Sequence, residues 1–289
     1  MTEEEYKAEW LQGLHNTEYN NCRFADDKVK FGIEWIKEKL PTVNLDNPQN
    51  IVDRINWCKL YDLDPRKPLW SDKITVNYML EDAGLKDIII PPVYFSRCYL
   101  TKHELDSLPD GNYIFKCNHG SGWNIKYEKK PGNNPEYLLS KLKEWYDLNY
   151  AYMSGWEWQY EKIIKGVIVQ PNLGVLKDWS FWCENGEIKY VQTSRKLGKN
   201  LAEFMTFTDE NGKEPDGYIG VRPMRFYLIP SELSILEKMK PIVKKLASDF
   251  KFVRVDMYSI NGEPKFGELT FSPCSGKLEF NSNQTHLKC

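Results

Sequence analysis

The chain has 289 residues, 41% hydrophobic and 28% charged, the make-up of a soluble globular protein with room for one large domain or a few packed subdomains. Lysine and arginine total 39 against 41 aspartates and glutamates, a net charge of −2, which excludes a general basic surface for nucleic acid. The longest apolar runs, such as 88–93, are too short to cross a bilayer, and the acidic start MTEEEYKAEW lacks the layout of a signal peptide, so an intracellular, cytoplasmic protein is expected.

Residues 1–70 read as helical: Trp35, Ile36 and Leu40 form one apolar stripe that stops at Pro41, and Ile51, Ile55 and Leu60 form a second. Asp72 precedes a helical segment at 73–83 that Gly84 ends. Ile88, Ile89 and Ile90 predict a short buried strand running into Pro91-Pro92. Residues 113–118 and 123–127 predict two strands around a turn at 119–122. An amphipathic helix follows at 136–148, with Leu138, Leu142 and Trp145 on one side. Residues 167–169 are a strand, and 178–183 with 188–192 form a hairpin around Glu184-Asn185-Gly186-Glu187. Residues 199–220 show no period and read as a long loop. Ser231 is the expected cap of a helix to 249, with Leu233, Leu236, Met239, Val243 and Leu246 inward.

The seven cysteines are odd in number and form no C-x-x-C pair, which argues against a disulfide framework or zinc ribbon and for small buried side chains. Ten tryptophans suit a large aromatic core better than stacking surfaces for sugars or bases.

Two stretches carry chemistry. In 252–276, FVRVDMYSINGEPKFGELTFSPCSG, two strands flank an Asn261-Gly262 turn; the first bears Arg254 and Asp256, the second Glu268 and Thr270. One carboxylate on each arm, with an arginine nearby, can hold a hard divalent cation against phosphate. A strict two-residue turn would send Asp256 and Glu268 to opposite faces, so an odd-length loop or a bulge is expected, with Pro264 disturbing the ladder. An exposed hairpin with scattered charges reads the same way in sequence. In the second stretch Lys116 ends a strand just before Asn118-His119-Gly120-Ser121-Gly122. Glycines let backbone N–H groups approach an anion, and a lysine beside them neutralises phosphate charge, although an ordinary tight hairpin has the same look. His119 reads as a turn donor or phosphate ligand, having no paired nucleophile. Arg222 and Arg225, in VRPMRFY, are planar forks for a substrate carboxylate, or else pair with nearby acids.

The segments DKITVNYML, YIFKCNHGSGWNIKY, DWSFWCENGEIKYVQ and FVRVDMYSINGEPKFGELTFSPCSG, taken in order, resemble the TupA-like ATP-grasp proteins, which accompany bacterial teichuronopeptide and other surface-polysaccharide gene sets. The resemblance covers about residues 50–280. It implies an α+β ATP-grasp fold, in which two α+β subdomains clamp a nucleotide beside a helical N-terminal region. Residues 1–109 would be that region with the start of the nucleotide domain, 110–170 a small lid-like subdomain, and 171–289 a C-terminal subdomain with the metal site.

By the same resemblance Lys73 and Lys116 meet ATP, and His119, Gly120, Ser121 and Gly122 form a flexible lid over its phosphates. Residues 167–173, with Gln170, line the adenine pocket as a hinge. Arg254 stabilises the transferring phosphoryl group, while Asp256 and Glu268 hold Mg2+. The sequence departs from the family pattern at Thr270, where many members have Asn, so water or Ser272 would complete the metal shell. It departs again at Asp178-Trp179-Ser180, where Asp-Tyr-Lys is usual, so Lys189, Arg195 or Lys196 would replace the missing lysine. The implied reaction is ATP- and Mg2+-dependent amide formation between a uronic-acid carboxylate of a surface-polysaccharide precursor and an amino acid or small amine. Two rivals remain: a metal-dependent glycosyltransferase using Asp62-Leu63-Asp64, and a non-catalytic nucleotide-binding scaffold.

Overall fold

The structure, a computed structural model, describes residues 26–153, 155–196 and 203–282. Expectations for residues 1–25, Cys22 and Cys289 included, lie outside that range, as do the side chains of Arg195 and Lys196. In chain order the elements are α1 (Asp26–Lys39), α2 (Ile51–Tyr61), α3 (Lys67–Ser71), α4 (Thr75–Asp82), β1 (Tyr94–Ser96), α5 (Lys102–Ser107), β2 (Gly111–Cys117), β3 (Asn124–Lys129), α6 (Glu136–Asp147) and β4 (Val167–Pro171). They continue with β5 (Lys177–Glu184), β6 (Glu187–Lys196), β7 (Glu203–Thr208), β8 (Gly217–Ile219), α7 (Pro230–Ala247), β9 (Phe252–Ile260), β10 (Glu263–Thr270) and β11 (Phe280–Ser282). Helices with antiparallel sheets make this an α+β fold, divided into two packed units: Met1–Val29 with Asp64–Gly174, and Lys30–Leu63 with Val175–Cys289.

The first unit holds a four-stranded antiparallel sheet in the order β1-β4-β2-β3. Alternation gives this sheet two faces. Phe115, Cys117, Val167 and Val169 are fully buried and pack with Leu138 and Leu142 of α6, whose apolar stripe was legible in the sequence. Lys116 and Gln170 stand on the opposite face, since Lys116 pairs with Ile168 and Ile114 with Gln170.

The second unit holds a five-stranded antiparallel sheet, β10-β9-β5-β6-β7, and a small β11-β8 pair. One face, with Trp179, Phe181, Val253, Val255, Met257 and Leu269, is buried; α7 packs on β5, β6, β9 and β10. α7 offers Ile235, Leu236, Met239, Val243 and Leu246, spaced at a helical period. The other face bears Asp178, Ser180 and Trp182 on β5 and Arg254, Asp256 and Tyr258 on β9. At its aromatic end Trp182, Tyr190, Phe207 and Phe252 pack with Ile51, Val52 and Ile55 of α2. Asn50 caps α2 by accepting from the Val52 and Asp53 N–H groups. α2, expected within the region 1–109, lies in the second unit.

Three local expectations change. The isoleucine run 88–90 is not a strand: 86–88 form a 3₁₀ turn, and pairing begins after Pro91-Pro92, which lack ladder donors, with Tyr94 opposite Val169. Within 199–220, described from 203 on, β7 pairs with β6 and β8 with β11. α7 starts at Pro230 rather than under a Ser231 cap; the Glu232 carboxylate accepts the Ile229 N–H instead. Cys58, Cys117 and Cys183 are buried as expected, whereas Cys98 and Cys274 are exposed.

Candidate functional site

The acidic hairpin has a two-residue turn, with Ile260 opposite Glu263, and both Asn261 and Gly262 take positive φ. Pro264 pairs in register with Ser259 on the edge strand, where a missing donor costs no ladder bond. The bulge lies further along: Phe266 pairs with Met257, Gly267 is the extra residue, and Glu268 pairs with Asp256. The expected irregularity is therefore present, set by Gly267 and not by the loop or Pro264. A Cβ on Gly267 would lie 2.8 Å from the Asp256 carbonyl oxygen, so the close crossing needs glycine. Past the bulge Thr270 faces Arg254.

These four side chains form one connected group. Arg254 Nε donates to Asp256 Oδ1 at 2.8 Å and Nη2 to Oδ2 at 2.6 Å. The same Nη2 lies 3.9 Å from Glu268 Oε1. Thr270 Oγ1 is 3.3 Å from both Asp256 Oδ2 and Glu268 Oε1. Ser180, directly opposite Asp256 on β5, adds a hydrogen bond to that carboxylate, and the Arg254 guanidinium sits 5.6 Å from the Trp182 ring centroid. Burial pushes Asp256 up; Arg254 pulls it back, and the facing Glu268 pushes it up again, leaving it above the ordinary carboxylate range.

Two paired carboxylates and a hydroxyl form an all-oxygen donor set, which fits Mg2+. Among the described residues no group of three or more His, Cys, Asp or Glu side chains forms a complete metal cage. Mg2+ does not require one, since it keeps waters and takes substrate phosphates.

In the first unit Lys116 Nζ donates to Gln170 Oε1 at 2.8 Å, and Gln170 Nε2 donates to the Ile90 carbonyl at 3.3 Å. Lys73 Nζ donates to the Gly120 carbonyl at 2.7 Å, so Lys73, some 47 positions upstream, reaches the glycine loop. Ser121 and Gly122 are exposed at its tip. His119 differs from a ligand offered to an anion: its ring is 1% exposed, with Nε2 3.2 Å from the Trp145 carbonyl and Nδ1 3.2 Å from Asn118 Oδ1. Burial pushes the imidazole down to about 4, so the ring is neutral near pH 7 and anchors the loop.

The residues that fix this loop escaped the sequence reading. Asp72, 1% exposed, accepts from the Ile74 N–H, Thr75 Oγ1, Asn118 Nδ2 and Arg97 Nη2. Asn118 also donates to the Ile164 carbonyl and accepts from the Gly166 N–H. Asp72 thus ties the start of α4, beside Lys73, to the glycine loop. The sequence places Asp72 only ahead of a helix at 73–83; α4 instead begins at Thr75, with Ile74 at its N-cap and no side-chain cap.

Other sequence candidates sit as follows. Asp178 is exposed opposite Tyr258. Ser272 is buried just past β10. Arg222 is exposed. Arg225, read either as a substrate fork or as a partner of nearby acids, has its Nη2 2.6 Å from both Glu232 oxygens in a buried pair that Lys177 joins at 2.7 Å. Burial alone would raise Glu232, but bonds from Lys177, the Ile229 N–H and Arg225 hold it down at about 2. Lys189 is exposed beside the β5–β6 turn, away from the Ser180 row. Asp64 is gripped by its neighbour Arg66.

A lysine-and-glycine loop on one antiparallel sheet and an Arg-Asp-Glu-Thr group on another mark an ATP-grasp protein. The chain belongs to the TupA-like ATP-grasp family, whose model matches residues 53–288. Among solved structures it is similar to the D-alanine–D-alanine ligase of Bacillus anthracis complexed with ATP, at 16% identity and TM-score 0.41, covering 70% of this chain and 55% of that one. It is also similar to an L-amino acid ligase from Bacillus licheniformis, at 11% identity and TM-score 0.44, covering 85% and 55%. The ATP-grasp ligase PsnB, complexed with minimal precursor, Mg and ADP, matches at 12% identity and TM-score 0.39, covering 72% and 52%. The chain thus spans about half the length of these structures. No curated protein matches it. Among the described residues no helix is long and apolar enough to cross a membrane.

Proposed function

We propose that the protein is an ATP- and Mg2+-dependent carboxylate–amine ligase. Its acceptor would be a uronic-acid carboxylate of a bacterial surface polysaccharide or precursor, and its donor an amino acid or small amine. The observation that carries this reading is the bulge at Gly267, which sets Glu268 opposite Asp256 and Thr270 opposite Arg254. An edge hairpin with merely scattered charges has no need of that register.

A carboxylate is a poor electrophile until an oxygen becomes a leaving group. ATP would supply the γ-phosphoryl group, giving an acyl phosphate and ADP; attack by the amine then releases phosphate and forms the amide. Asp256 and Glu268, with Thr270, would hold Mg2+. Arg254, already forked on Asp256, would neutralise charge on the phosphoryl group in flight. Lys116 and Lys73 would contact phosphate, and the exposed Ser121-Gly122 tip would lend backbone N–H groups. Gln170 would meet the nucleotide from β4 beside Lys116, and the family resemblance gives Asp178 of β5 a nucleotide-binding role as well.

The test is to incubate the purified chain with ATP, Mg2+ and a matrix of uronic acids and amines, following ADP and phosphate and searching for the condensed product by mass spectrometry. ADP release that depends on both co-substrates is expected. Nucleotide binding without release across the matrix would instead support a scaffold.

A further inference from the structure

We infer that Lys59 of α2 is a positioning residue for phosphoryl transfer: it locks the turn that follows β10 and, through that turn, holds the Arg254 guanidinium in place. The inference rests on the ligase reading above. Its starting point is the backbone of Cys274, Ser275 and Gly276, just past Thr270. All three have positive φ, at 50°, 57° and 80°. The left-handed region crowds a Cβ against the following carbonyl, so glycine enters it freely and cysteine and serine do not. Successive residues of this kind persist only where the surroundings over-determine them, and they gather where function needs a fixed geometry.

α2, in the same unit, supplies those surroundings. Lys59 and Asn56 are 3% and 0% exposed. Lys59 Nζ donates to the Ser275 carbonyl at 2.9 Å. Asn56 Nδ2 donates to the Gly276 carbonyl at 3.1 Å and, within its own helix, to the Val52 carbonyl at 3.0 Å. A Cβ on Gly276 would run into the Asn56 amide, so glycine is needed there for space as well as for φ. Trp35 of α1 covers the ammonium, with Nζ 4.5 Å from its ring centroid. The turn also closes on itself: the Ser275 N–H donates to the Ser272 carbonyl at 2.8 Å and the Lys277 N–H to the Cys274 carbonyl at 3.0 Å. A buried ammonium carries a desolvation cost that an apolar side chain of the same length does not. Lys59 is therefore a poor choice for packing α2 and a good one for fixing a strained carbonyl.

The turn borders the Arg254 group. Arg254 is forked on Asp256, its Nη2 lies 3.3 Å from Thr270 Oγ1, and the Trp182 ring centroid is 5.6 Å from the guanidinium. Cys274, exposed at the turn, is close enough for its thiol and the guanidinium to act on each other electrostatically. Relaxation of 274–276 to negative φ would swing Cys274 away and leave the guanidinium without a wall on that side. Arg254 would still meet a bound phosphate. It would lose the fixed aim that matters as charge builds on the phosphoryl group in flight.

The test needs no acceptor. Binding of ADP with Mg2+ to the whole chain is measured by calorimetry, with and without aluminium fluoride, which beside ADP imitates the phosphoryl group in flight. Aluminium fluoride should tighten ADP binding to the unaltered chain by about a hundredfold or more. Lys59→Met should lose at least about tenfold of that gain while binding ADP and Mg2+ alone as before, because the lost interaction is made only to the transferring group. A lysine that serves stability alone would lower the melting temperature and leave the gain intact. Cys274→Val disfavours φ of 50° at an exposed position, so it folds even where Lys59→Met does not, and it should lose the gain too. Cys274→Gly is at ease with that φ and should keep it. An intact gain in folded Lys59→Met or in Cys274→Val would overturn the inference, as would an equal loss in Cys274→Gly or a matching loss of ADP binding without fluoride. No gain in the unaltered chain would sink the ligase reading and this inference with it, whereas a gain that every variant keeps sinks this inference alone.

Discussion

Asp256 and Glu268 stand directly opposite each other on β9 and β10 because one glycine, Gly267, is bulged out of the second strand. Without the bulge Gly267 would face Asp256, and Glu268 would turn to the buried face beneath α7. A one-residue change in register thus separates a two-carboxylate site from a buried unpaired acid.

Gly267 gives a paired test of that relationship. In Gly267→Val the new side chain meets the Asp256 carbonyl, so the bulge is lost or strained, at a cost of ~1–3 kcal/mol. Mg2+-dependent ADP release should disappear. Deleting Gly267 outright leaves Phe266 opposite Met257 and Glu268 opposite Asp256, so Mg2+ dependence should survive. Denaturant melts and Mg2+ titrations of turnover read both variants; Gly267→Val with unaltered Mg2+ dependence would contradict the assignment.

Arg254→Lys keeps the charge but loses the fork that spans both Asp256 oxygens. Loss of one directed donor to a transferring group typically costs about 10²–10³ in kcat. The expected result in steady-state kinetics is a fall of that order, with KM for ATP changing less. A fall confined to KM would assign Arg254 to ground-state binding.

The pH profile tests the coupling of the two acids. Asp256 is held above the ordinary aspartate range by burial and by Glu268, against the pull of Arg254, and only its ionised form binds a cation. In the metal-free chain Asp256 should therefore titrate above an ordinary aspartate, read by NMR of the carboxyl carbon. Glu268→Gln removes the facing charge and should move that titration downward. An unmoved titration would show that Asp256 does not feel Glu268.

Acid stability should be lost in two windows. His119 is depressed from 6.5 to about 4, so the unfolded chain takes up its proton first and stability falls as pH drops from 6.5 towards 4. Glu232 is depressed from 4.5 to about 2; its contribution is complete above 4.5 and is lost as pH falls towards 2. Each shift corresponds to roughly 3 kcal/mol at most. In urea melts His119→Gln should flatten the upper window alone. Glu232→Gln should flatten the lower one while destabilising the protein at pH 7, because Arg225 and Lys177 lose their buried partner.

The glycine loop gives a further test. Asn118→Ala removes the link from Asp72 to the loop and leaves the Gly166 N–H without that acceptor. KM for ATP should rise more than kcat falls if the loop contacts phosphate. An effect on thermal stability alone, with both kinetic constants intact, would leave Asn118 a purely structural residue.

Much of this protein is written locally. Alternating side chains announced β2, β3, β5 and β6, the α6 stripe announced its own packing, and Asn261-Gly262 announced the turn, since each depends only on neighbours a few residues away. Residue chemistry singled out Lys116, Arg254, Asp256 and Glu268, and the family resemblance gave them roles. Local pattern failed where the partner was remote. The isoleucines at 88–90 looked like a strand, yet pairing waits until Tyr94 meets Val169. Arg225 has two readings in sequence, a substrate fork or an ion-pair partner, and only the fold sets Glu232 of α7 against it. The long loop expected at 199–220 contains strands whose partners are β6 and β11.

By itself, then, the amino-acid order determined the hairpins, the amphipathic helices and the residue types able to handle phosphate and a hard cation. Only the folded chain decided which face Glu268 shows, that Asp72 binds Asn118 across 46 positions, and that His119 is an anchor. The physical reason is that periodicity records which side of an element is apolar, whereas a bulge, a buried hydrogen bond or an ion pair depends on what lies across from it.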